Sequence, residues 1–359
     1  MNPKKHIALL CLSCLAVLAA MAATSYWADP AGLFARRSVE NEIAEHITAG
    51  RALEIFGNIN ERAFQKRRLE LESRREPDYL VLGSSRAMLP GGWLLGGTAV
   101  NVAVPGATLE DLIALLELSA AIRPRTYVLG VDPWLFNRNN NQNSWQALGG
   151  AYRRGLERIG AGVANAATEG GSVSAFAASP VVQLVNLEYF RESVKKLRQK
   201  EHTALRYQLV DASTWTGSGL LVRPDGSRGY PHPVRTAGEQ EQINRTAGAE
   251  TKPFGLKHFA ALDVERLATF RKLAAHLRRS GPVILLLAPY HPAAWKHIGR
   301  LEPVIAAEAA IQALAQELDL RVAGSFSPER SGCPDTTFVD YMHPDEGCLR
   351  ALWRSRSGH

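Results

Sequence analysis

Cysteine is scarce in this chain: there are four in 359 residues, and two of them, Cys11 and Cys14, fall inside an apolar N-terminal run. Cys333 and Cys348 are left for the rest of the protein, too few for a disulfide-built scaffold. The ten histidines lack a tight ligand spacing with cysteine or carboxylate partners, so no metal site is expected. Gly91-Gly92 and Gly96-Gly97 lack the following lysine of a phosphate-binding loop and read as turns. The net charge of +7 comes from scattered basic residues with no nucleic-acid motif, and nucleic acid is not an expected partner. No cofactor is expected either.

A hydrophobic content of 46% is enough for a substantial core, in one large or two modest domains. Residues 7–23 form an apolar run of seventeen residues with no charge and one hydroxyl, Ser13; Lys4 and Lys5 precede it, and Thr24, Tyr26 and Trp27 extend it toward an interface. This is the pattern of a signal anchor whose basic end stays inside. A cleaved secretory signal is the competing reading, because Ala20-Met21-Ala22 offers small residues for cleavage. Either way the remainder leaves the cytoplasm. The basic stretch Lys195-Lys196-Leu197-Arg198-Gln199-Lys200 is either a solvated helix face or a contact for an anionic membrane or glycan.

Three divisions follow from the pattern: an anchor over 1–28, a helical stalk or linker over 29–75, and an α/β domain over 76–359. In the stalk, Ile43, Ile47, Leu53 and Phe56 carry helical spacing. In the domain, apolar strands at 79–83, 99–102, 126–131, 282–288 and 320–323 alternate with helices near 109–121, 262–277 and 304–318. Such alternation predicts a mainly parallel sheet covered on both faces, a three-layer αβα sandwich of flavodoxin-like type. From about 137 to 255 the pattern weakens, with asparagines at 137, 139, 140, 141 and 143, and an insertion or lid is expected there.

Ligands of parallel sheets bind beyond the carboxyl ends of the strands. Gly83-Ser84-Ser85-Arg86 closes the first domain strand, Gly106 follows the second, Asp132 the third, and Pro289-Tyr290-His291 the fourth. Near the end stands Asp340-Tyr341-Met342-His343-Pro344. A serine presented at a strand end needs a base, and an Asp-x-x-His supplies base and orienter together.

The arrangement resembles the SGNH hydrolase superfamily, whose first block reads Gly-Asp-Ser and whose last reads Asp-x-x-His. By position Gly83 matches the glycine and Ser85 the nucleophile, with Ser84 where the family has aspartate. Gly106 matches the second-block glycine. Asp132, in Gly130-Val131-Asp132-Pro133, takes the place of the third-block asparagine. The likeness covers about 76–132 and 282–349, and with the anchor it resembles membrane-anchored, periplasm-facing SGNH-like proteins of bacterial exopolysaccharide or cell-wall acylation. It implies a single-pass inner-membrane protein whose partners are an acyl donor, a surface glycan and other polysaccharide-assembly proteins.

On that footing Ser85, Asp340 and His343 are the expected catalytic triad of an O-acyltransferase or esterase, with the amides of Ser85 and Gly106 facing an oxyanion. Asp132, once ionised, cannot donate the third hydrogen bond; Asn137 is the candidate substitute. Several further residues have two readings. Arg86 binds an anionic substrate or forms a salt bridge; Asp132 lines the site or caps its strand; His291 lines the groove or is a loop residue. Trp134 and Trp145 are a sugar platform or core. Cys333 and Cys348 bracket Asp340 and His343, as a bridge across about fifteen residues worth roughly 3 kcal/mol or as two free thiols. The alternative function is a non-catalytic, membrane-tethered glycan-binding or assembly component. A lipase or thioesterase is a third reading, and needs an apolar groove.

Overall fold

The computed structural model describes residues 3–28, 38–72, 75–162, 182, 184–198, 205–231, 235–250 and 253–355. The start of the expected stalk or linker (29–37), part of the insertion (163–181) and Lys200 lie outside these residues.

Pro3–Ala28 is one helix, and its 4–28 portion is long and apolar enough to cross a membrane. Leu9, Leu10, Leu12 and Leu15 point outward, each more than 60% exposed. Its buried residues, Ser25 and Ala28, lie in the last two turns, and the helix packs against the amphipathic helix Leu187–Arg198.

The main sheet is five-stranded and parallel, in the order β3-β2-β4-β8-β9. Its strands are β2 Tyr79–Leu82, β3 Ala99–Asn101, β4 Thr126–Gly130, β8 Val283–Leu287 and β9 Arg321–Gly324. Alternate residues serve opposite faces, as the two-residue period of a strand requires. Leu80, Leu82, Leu129, Leu285 and Leu287 join one apolar cluster with the helices Leu109–Leu118, Val264–Ser280 and Glu302–Glu317. Val81, Val128, Ile284 and Leu286 join another, with Trp353 of the helix Glu346–Ser355 packed on it. With both faces covered, the strands read as continuous apolar runs, which made them legible in the sequence.

A second, antiparallel sheet has the order β5-β1-β6-β7, from β1 Ala52–Phe56, β5 Arg206–Val210, β6 Leu220–Val222 and β7 Arg228–Gly229. The stretch expected to be a helical stalk therefore contains a strand between the helices Val39–Thr48 and Glu61–Leu71. Leu53 and Phe56 fit helical spacing, yet Leu53 and Ile55 bury one face at period two. Glu54 between them takes hydrogen bonds from Gln208 and the Gly219 amide. The second sheet is tied to the first by buried charge. Arg228 pairs with Glu61 and its amide donates to the Met88 carbonyl; Arg68 donates to Asn101 O at 2.8 Å.

Candidate active site

The end of β2 is built around close backbone approach. A Cβ on Gly83 would stand 2.6 Å from the Ala87 Cβ and 3.1 Å from the Gly130 Cα, so glycine is needed where β2 and β4 end side by side. Ser84 then caps a short turn, Ser85–Ala87, its hydroxyl accepting from the Arg86 amide at 3.2 Å. Ser85 opens that turn, half-buried, at the carboxyl edge of the sheet. Asn101 anchors the turn from β3: its side-chain amide donates to the carbonyls of Ala87, Met88 and Pro90.

The Gly106 loop lies alongside, because the Val104 amide donates to the Gly83 carbonyl at 3.0 Å. Gly106 has φ +59°, and a side chain there would meet the ring of Phe254. Among the described residues, neither the Ser85 nor the Gly106 amide has an acceptor.

The late motif arrives as a compact loop. One Asp340 oxygen accepts from the amides of Met342 and His343 at 2.8 and 2.9 Å; the other stands 2.7 Å from His343 Nδ1. The opposite ring nitrogen, Nε2, stands 2.8 Å from Ser85 Oγ. An ionised carboxylate only accepts, so Nδ1 carries the proton and Nε2 is left to accept from the serine hydroxyl. Burial acts to raise the Asp340 carboxyl, but the hydrogen bond and charge of His343 and the two amides outweigh it and hold it below the usual aspartate range. Cys333 and Cys348 form a disulfide that closes the segment carrying both residues.

The other expected site residues are differently placed. Asn137 is buried, and its amide nitrogen donates to the carbonyls of Gly255 and Lys257, so it is not available as an oxyanion donor. Trp134 is fully buried, with its indole N–H on the Ala107 carbonyl; it supports the Gly106 loop and offers no face to a sugar. Trp145 packs on the core with its ring 5.1 Å from that of Tyr152. His291 caps the helix Pro292–Ile298: Nδ1 accepts from the Ala293 amide, and Nε2 faces Asn244 Oδ1 at 3.1 Å. Burial holds this imidazole below the ordinary histidine range, which suits a neutral packing residue rather than a groove lining.

Arg86 and Asp132 are both buried and face each other at 2.8 Å. Burial raises the Asp132 carboxyl, against the opposing pull of Arg86, the Ser84 hydroxyl and His343. Neither lines a substrate surface. Tyr230 was not anticipated; its ring centroid lies 6.1 Å from that of His343, and burial with the nearby Asp340 charge pushes its hydroxyl up to about 12. It follows a two-residue strand in the irregular insertion, where periodicity gives no signal. Asn101 was more legible, as a polar residue inside an apolar strand.

No protein-family model matches this chain, and no curated protein matches it. The chemistry must be argued from the residues themselves.

Proposed function

We propose that this protein is a serine-dependent acyltransferase or esterase of SGNH type, with a three-layer αβα domain held by its N-terminal helix on the outer side of a bacterial inner membrane. The observation that carries the reading is the continuous chain from Ser85 Oγ to His343 Nε2 and from His343 Nδ1 to Asp340. Ser85 Oγ attacks the acyl carbonyl carbon while His343 Nε2 takes its proton. The departing alkoxide recovers that proton from His343 and leaves an acyl-serine. An acceptor hydroxyl, from a surface glycan or from water, is then deprotonated by His343 and attacks the acyl carbon, and His343 returns that proton to the departing Ser85 Oγ. Asp340 holds the ring and offsets the imidazolium charge. The Ser85 and Gly106 amides, without an acceptor among the described residues, are the candidate donors to the oxyanion.

The glycan acceptor and envelope setting follow from the sequence resemblance and the apolar helix. The experiment is turnover of a small activated acetyl ester by the full-length protein and its Ser85→Ala variant. Loss of turnover with an unchanged melting temperature supports the reading. Equal turnover in both, or polysaccharide binding without turnover, favours a non-catalytic glycan-binding component instead.

A further inference from the structure

The two departures from the family pattern, Ser84 and Asp132, form one buried cluster with Arg86, next to Ser85. The Ser84 hydroxyl accepts from the Arg86 amide, and the Arg86 side chain faces Asp132. The Arg86 guanidinium, 3% exposed as a residue, uses each of its nitrogens on a different partner. Nη1 donates to Asp132 Oδ1 at 2.8 Å, at the end of β4. Nη2 donates to the Ala288 carbonyl at the end of β8. Nε donates to the Met342 carbonyl at 3.0 Å. The Tyr290 ring lies against the guanidinium face, its centroid 4.0 Å from the Arg86 Cζ.

The Met342 contact matters most. Met342 immediately precedes His343, and its amide is already held by Asp340. Met342, the second of the two residues between acid and base, is thus fixed on its N–H side by the acid and on its carbonyl side by Arg86. Arg86 in turn is covalently next to Ser85. A single side chain therefore connects the nucleophile's turn to the loop of the base and to two neighbouring strand ends.

We propose that Arg86, with Asp132 as its buried counter-ion, is the positioning residue that keeps His343 within reach of Ser85. This rests on the acyl-transfer reading for its consequence, but its geometry stands independently. Arginine suits the task because its planar fork meets several fixed acceptors at once; the lysine ammonium is a point charge on a flexible stem and cannot reproduce that pattern. Asp132 then has a role of its own. A guanidinium in this pocket needs a counter-charge, so the position that resembles an asparagine donor holds a carboxylate.

The test compares full-length wild-type protein with Arg86→Lys and Asp132→Asn. Its readouts are kcat and KM on the acetyl ester, the rate of Ser85 labelling by a fluorophosphonate, and the Ser85–His343 distance in crystals of each variant. Arg86→Lys keeps the charge, and is expected to lower kcat and labelling by about 100-fold, the scale of a misplacement near 1 Å, with KM nearly unchanged. The Ser85 Oγ to His343 Nε2 distance is expected to lengthen beyond hydrogen-bond reach. Asp132→Asn keeps an oxygen acceptor and should cost less.

Arg86→Ala supplies a second arm: added guanidinium ion should restore part of its labelling rate, which a merely misfolded site would not allow. A raised KM with unchanged kcat in Arg86→Lys would identify a substrate contact and overturn the proposal. So would an unchanged distance and labelling rate. If wild-type protein neither turns over ester nor labels at Ser85, the acyl-transfer reading fails, and the crystal distances still decide whether Arg86 positions the loop.

Discussion

His343 Nε2 lies 2.8 Å from Ser85 Oγ although 258 positions separate the two residues. The parallel sheet makes this meeting possible. β2 delivers Ser85 to the carboxyl edge, and the loop carrying His343 is stitched to the same edge: the Tyr341 carbonyl accepts from the His291 amide, beyond the end of β8.

Ser84 and Ser85 are adjacent, but they make opposite predictions. Ser85→Ala should reduce ester turnover to the uncatalysed background. Ser84→Ala should keep a reactive Ser85 while losing a cap worth about 1 kcal/mol, seen as a lower melting temperature. Activity that depends on Ser84 and survives without Ser85 would reverse the assignment.

Asp340 gives a pH-dependent signature with a definite sign. Its folded-state carboxyl is held below the usual aspartate value, so the ionised form favours the fold. That contribution is complete above the unfolded value of about 3.9 and disappears as pH falls through the lowered folded value. Melting temperatures of wild type and Asp340→Asn should differ by a constant amount near neutrality and converge in acid. Turnover of Asp340→Asn should fall by about 10,000-fold, as expected when the ring loses its orienting carboxylate. A gap between the two melting curves that widens in acid would contradict this.

The bridge between Cys333 and Cys348 closes the segment that carries acid and base. Replacing both cysteines by serine should lower stability by roughly 3 kcal/mol and slow Ser85 labelling. Denaturant unfolding of the oxidised and double-serine forms measures the first effect. Full labelling in the serine form would show that the loop is held without the bridge.

The apolar helix predicts that the full-length protein stays with membranes after alkaline carbonate washing. Leu12→Arg with Leu15→Arg should release it, because each arginine at a span's centre costs about 2.5 to 3.5 kcal/mol. An intact wild-type chain found in the washed supernatant would exclude anchoring.

The parallel strands were readable because burial on both faces leaves an uninterrupted apolar run, as in Val283–Leu287. Ser85, Asp340 and His343 were readable for another reason: local motifs mark them, whatever the fold between. The second sheet was not. β1 pairs with strands more than a hundred residues away, and β5 has exposed residues among its five, so neither carries a clear pattern alone. Asn137 was singled out as an oxyanion donor but given the wrong surroundings, whereas for Arg86 and Trp134 the salt-bridge and core readings are the ones the structure shows. Residue type announces chemistry, whereas burial and partners, which decide between a ligand contact and a structural pin, depend on the tertiary fold.

The central claim is that Ser85 is a nucleophile activated by His343. Incubating the full-length protein with a fluorophosphonate and mapping the adduct by mass spectrometry tests it most directly. The account predicts a single adduct on Ser85, formed far more slowly in His343→Ala. An unmodified Ser85, or equal labelling with and without His343, would contradict it.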